Sequence, residues 1–82
     1  MTILKTQIFV AQQYASLAVS EAHSQHRYRK WRDEFMAMAR ERRKNGDCPS
    51  YDILAAREQN HWLVRAKKYE QRYLDEVAKA FQ

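Results

Sequence analysis

A chain of 82 residues with 15 Lys plus Arg against 10 Asp plus Glu has room for one domain and carries a formal net charge of +5. Its single glycine and single proline leave almost no turn-forming residues. A sandwich or barrel of this length needs a turn about every 8 to 12 residues, so all-β architecture is excluded and the expected class is all-α. The lone cysteine, Cys48, rules out an intrachain disulfide framework and fits a reducing, cytoplasmic setting.

The N-terminal stretch is apolar, with Ile3, Leu4, Ile8, Phe9, Val10, Leu17 and Val19, but Lys5, Gln7, Gln12 and Gln13 interrupt it. The run falls well short of the ~20 apolar residues a membrane span needs, so no membrane segment is expected. Alternating steps of four and three from Ile3 trace Gln7, Val10, Tyr14, Leu17, Glu21, Ser24, Tyr28, Trp31, Phe35, Met38 and Arg42, the period of an amphipathic helix. Ser20, His23, Ser24 and His26 are weaker helix formers and coincide with the polar gap in that stripe. Helix one, expected over about residues 3–44, is therefore either continuous or broken near residues 20–26 into a three-helix unit. The continuous helix is favoured because the gap contains no true breaker.

The corner, residues 45–50, gathers Gly46 and Pro49. Gly46 suits the left-handed position that ends a helix, and Arg42, Arg43 and Lys44 put positive charge at the negative end of the helix dipole. Pro49 is tolerated in a first helical turn, with Asp47, Cys48 or Ser50 as candidate caps. Helix two, expected over about residues 51–81, carries the stripe Tyr51, Ala55, Trp62, Ala66, Tyr69, Tyr73, Val77 and Ala80. The result is a long helical hairpin spanning residues 1–82 as one domain. If the corner centres near residue 47 or 48, the numbers of facing residues add to about 95, which leaves residues 1–12 as an overhang of about 18 Å. Trp31, Phe35, Trp62, Tyr69 and Tyr73 are assigned to the core between the helices.

The charge is unevenly placed. Residues 27–44 carry Arg27, Arg29, Lys30, Arg32, Arg40, Arg42, Arg43 and Lys44 against Asp33, Glu34 and Glu41, which accounts for the whole +5. A basic helix interleaved with Tyr28, Trp31 and Phe35 is able to bind phosphates while its aromatics stack on bases. Core packing accounts for the same three aromatics, however, and Arg, Trp and Tyr also dominate the energetics of protein interfaces.

Catalytic and metal chemistry find little support. His23 and His26 are three apart on one helix, but the remaining candidate ligands, Cys48 and His61, lie elsewhere along the hairpin, and structural zinc wants four ligands. Cys48 has no histidine nearby in sequence and reads as a bystander thiol. One glycine makes no phosphate loop. The pairs Asp33-Glu34 and Asp75-Glu76 read as solvated helix charges rather than a general acid and base. No catalytic, cofactor-binding or metal residue is therefore assigned.

The corner Gly46-Asp47-Cys48-Pro49-Ser50-Tyr51 between two amphipathic helices resembles, in shape, the hairpin corner of small type III secretion needle co-chaperones. Helix one is longer than that pattern, and the basic block has no counterpart in it. The expected function is stoichiometric protein binding, as an adaptor, inhibitor or co-chaperone. An apolar N-terminal tip of Ile3, Leu4, Ile8, Phe9 and Val10 would anchor a partner, and Arg27, Arg29, Arg32, Arg40, Arg42 and Arg43 would steer onto its acidic surface. A second copy of the chain is one candidate partner. Nucleic-acid binding by residues 27–44 is the alternative.

Overall fold

The computed structural model describes residues 4–82; Ile3, expected in the apolar tip, lies outside them. Two α-helices, α1 (Lys5–Lys44) and α2 (Ser50–Lys79), fold back on each other as a rod of 66 × 13 × 13 Å. The expected all-α hairpin forms, and α1 passes unbroken through residues 20–26.

The helix ends follow from local chemistry. At the start of α1 the Leu4 backbone N–H donates to Gln7 Oε1 at 2.8 Å, the side chain reaching back to an otherwise unpaired donor. At its end Gly46 takes φ 77°, the Gly46 N–H donates to the Arg43 carbonyl at 3.3 Å, and the Asp47 N–H donates to the Arg42 carbonyl at 2.8 Å. This is the paired Schellman arrangement, for which a left-handed residue is required. Pro49 caps α2 without a side-chain hydrogen bond, so none of Asp47, Cys48 and Ser50 serves as a side-chain cap. Asp52 lies in the first turn of α2, fully buried, where Arg42 Nε donates to its Oδ2.

The interhelical seam falls beside the expected one. Its fully buried members on α1 are Ala11, Ala18, Gln25 and Ala39, and on α2 Asp52, Ala56, Leu63 and Ala66. Half-buried Tyr14, Glu21, Tyr28, Arg32 and Phe35 complete the alternation of steps of three and four on α1. The expected positions Tyr14, Glu21, Tyr28 and Phe35 are thus kept, but every alternate one moves by a single residue. Ala11, Ala18, Gln25, Arg32 and Ala39 replace Val10, Leu17, Ser24, Trp31 and Met38. The reason is steric. At 11, 18 and 39 the helices meet through alanines and approach closely, and the larger neighbours Val10, Leu17 and Met38 are pushed to the flank, 40%, 44% and 46% exposed; Trp31 shares that flank at 42%, with Arg32 rather than an alanine beside it in the seam. Trp31 is therefore not a core residue, and Trp62, Tyr69 and Tyr73 are only half-buried.

The register also differs. Arg42 meets Asp52 close to the expected pairing, Arg32 bonds Asn60, and Tyr14 stacks on Tyr73 rather than on a residue near 81. The end of α2 consequently runs further past Tyr14 than expected and shortens the overhang, so that Ala11 is buried. Leu4 and Phe9 stay 62% and 60% exposed, and Ile8 and Val10 are partly covered.

Candidate functional site

The heptad spacing of the two seams divides the rod into two flanks of different chemistry. One flank begins one residue before alternate seam positions: Val10, Leu17, Ser24, Trp31 and Met38 on α1, Ala55, Trp62, Tyr69 and Glu76 on α2. Together with the adjoining half-buried seam residues it holds most of the aromatic side chains. Tyr14 stacks on Tyr73 with ring centroids 6.2 Å apart, Tyr73 on Tyr69 at 6.4 Å, and Tyr28 meets Trp31 edge-on at 6.3 Å. Arg65 lies over both Trp62 and Tyr69, 5.3 Å from each ring, and Arg72 over Tyr69 at 5.7 Å. The ring faces attract these guanidinium groups by cation–π interaction. A shallow groove here is lined by Glu21, Tyr28, Trp62, Arg65, Ala66, Tyr69 and Tyr73.

The opposite flank is basic. A groove lined by Arg32, Met36, Ile53, Ala56, Arg57 and Asn60 runs between the helices, with apolar side chains between two guanidinium groups. Arg32 bridges it, donating from Nη1 to Asn60 Oδ1 at 3.0 Å and from Nε to Asp33 Oδ1 at 3.1 Å. Helical spacing places Arg29, Arg40 and Arg43 along the same side of α1, and Lys67 on that side of α2. Counted by position around the rod, this flank carries Lys5, Arg29, Arg32, Arg40, Arg43, Arg57 and Lys67 against Asp33 and Glu70, so its surplus equals the chain's +5. The aromatic flank is close to neutral, with Arg27, Arg42, Arg65, Arg72 and Lys79 against Glu21, Glu34, Glu41, Asp52, Glu58 and Glu76.

The six arginines expected to form one surface therefore divide. Arg29, Arg32, Arg40 and Arg43 share the basic flank. Arg27 lies on the other side, within 3.4 Å of Ser24 Oγ, and Arg42 is turned toward Asp52. Arg57 and Lys67 escape a count made along the chain, because the segment they belong to is neutral overall. Leu4, Ile8, Phe9 and Val10 occupy the free end of the rod, as expected, but do not share one side: Val10 joins the aromatic flank and Ile8 the basic one.

Two further features bear on chemistry. Among the described residues no three His, Cys, Asp or Glu side chains gather in a way that would hold a metal ion. His23 and His26 instead line a shallow depression on the outer face of α1 with Ser16, Val19, Ser20, Ser24 and Arg27. Cys48 is exposed, with Sγ 3.0 Å from Ser50 Oγ. Hydrogen bonds from the Ser50 side chain and backbone hold its thiol below the usual thiol pKa. No described helix is long and apolar enough to cross a membrane.

No protein-family model matches the chain, and no curated protein or solved structure matches it either.

Proposed function

We propose that this chain is a helical protein-binding module of the cytoplasm that acts by stoichiometric binding, not by catalysis. The carrying observation is the row of large apolar side chains outside the seam, Val10, Leu17, Trp31 and Met38, each about two-fifths exposed, together with Leu4 and Phe9 at the free end. Monomers rarely leave contiguous apolar surface bare, and covering it is the ordinary source of binding free energy. The Arg29, Arg32, Arg40 and Arg43 side supplies electrostatic steering toward an acidic surface. Removing residues 1–9, which stops short of the buried Ala11, tests the tip: complex formation should be lost while helicity by circular dichroism stays nearly unchanged. A complex that persists with the tip removed counts against its anchoring role.

The gathering of the basic surplus on one flank supports nucleic-acid binding as a second reading. Affinity for a generic oligonucleotide would then fall by orders of magnitude between about 50 and 200 mM salt, as counterion release requires for several phosphate contacts. Absence of binding at low salt would end that reading.

A further inference from the structure

We propose that the aromatic flank is covered by a second copy of this chain, the two α1 helices lying antiparallel about a two-fold axis at Ser24. This rests on the protein-binding reading and names the partner of its apolar row alone, leaving the basic side to a separate, acidic partner. The row Val10, Leu17, Ser24, Trp31 and Met38, exposed except at half-buried Ser24, repeats every seven residues and is centred on its one small member. An antiparallel copy turned about Ser24 sets Leu17 against Trp31 of the other chain and Val10 against Met38. Each contact occurs twice, as a two-fold interface requires.

Three observations favour this occupant over any other. Ser24, with Ser20 one turn away at the edge of the outer-face depression, lies at the proposed axis, where small side chains let two helices approach. The same rotation brings Glu21 opposite Arg27 of the other copy, twice, so the charges at the centre are self-complementary. The flank's remaining charges nearly cancel, while the basic surplus sits on the far side, so pairing through this flank keeps the two basic surfaces apart. An acidic protein or a nucleic acid would be drawn to that far side instead.

The area suffices. From Val10 to Met38 the helix rises about 42 Å, and a strip of that length and about two helix widths offers roughly 800 Å². That matches the roughly 800 Å² per partner of a standard stable interface. It is a small share of the 6444 Å² accessible surface of the chain.

The test uses the full chain. Sedimentation equilibrium across the micromolar range should give twice the 9.9 kDa chain mass. Trp31→Glu should return it to the single-chain mass with helicity retained. In a Cys48→Ser background, Ser24→Cys should oxidise to an interchain disulfide far faster than His26→Cys, because only residue 24 meets itself at the axis. A chain that sediments at 9.9 kDa throughout, or a Ser24→Cys variant that crosslinks no faster than His26→Cys, overturns the proposal. A single-chain mass combined with tip-dependent capture of a different protein would overturn this inference while leaving the protein-binding reading in place.

Discussion

Arg42 Nε donates a hydrogen bond to Oδ2 of Asp52, whose carboxylate is fully buried in the first turn of α2 while the arginine side chain is 46% exposed. The pair ties the last turn of α1 to the first turn of α2 across the corner. The second oxygen, Asp52 Oδ1, has no hydrogen-bond partner, so the carboxylate depends heavily on this one arginine.

Removing Arg42 should therefore cost more than removing any other arginine in residues 27–44. Arg42→Ala leaves a buried charge uncompensated and should destabilise the hairpin by about 2 to 4 kcal/mol. Arg40→Ala, on the surface, should stay within about 0.5 kcal/mol. Urea denaturation followed by circular dichroism measures both, and equal losses would mean that the corner pair contributes nothing particular. The Arg42→Ala, Asp52→Ala double variant should recover part of the loss, because it leaves no orphaned charge.

The alanine seam sets three expectations. Ala66, 3% exposed, has no room to grow, so Ala66→Leu should destabilise by about 1 to 3 kcal/mol through overpacking. Leu63→Ala, at 2% exposure, should cost about 2 to 5 kcal/mol. Leu17→Ala should cost under about 1 kcal/mol in the isolated chain, because Leu17 is not in the seam. Thermal melts at a concentration where the chain is monomeric would rank the three. A large loss for Leu17→Ala would restore the seam that the sequence pattern suggests.

These contrasts show what the sequence makes legible. The hairpin and its corner are readable because Gly46 and Pro49 are unique and a left-handed residue must end α1. The seam is not, because periodicity weighted by hydrophobicity follows the largest side chains, Val10, Leu17, Trp31 and Met38, whereas the packed seam takes the next residue each time, alanine at 11, 18 and 39 and Arg32 beside Trp31. A displacement of one residue is about 100° around a helix. That is enough to turn a presumed core stripe into a surface. The division of the arginines is hidden for a related reason: charge summed along residues 27–44 does not reveal which side of the rod each occupies.

Gly46 offers a cleaner backbone test. A Cβ added there would meet no atom within 4 Å, so the cost of Gly46→Ala arises from φ 77° alone. The expected loss is about 1 to 2 kcal/mol, seen as a lower melting temperature. An unchanged melting temperature would mean that the corner tolerates another ending.

Cys48 should react with iodoacetamide with a pH midpoint below that of an ordinary thiol, since its hydrogen bonds with Ser50 favour the thiolate. Ser50→Ala removes the side-chain contribution, keeps the backbone N–H, and should move the midpoint upward. Alkylation profiles that coincide would show that the hydroxyl has no such role.

Trp31 reports most directly on whether the apolar row outside the seam is a surface meant to be covered. In a Trp62→Phe variant it is the only tryptophan, and its acrylamide quenching reads its exposure. Quenching should be strong in the dilute chain and should fall, with a blue shift in emission, as the chain associates with its protein partner. Trp31 that stays equally quenchable in the assembled state would contradict the account.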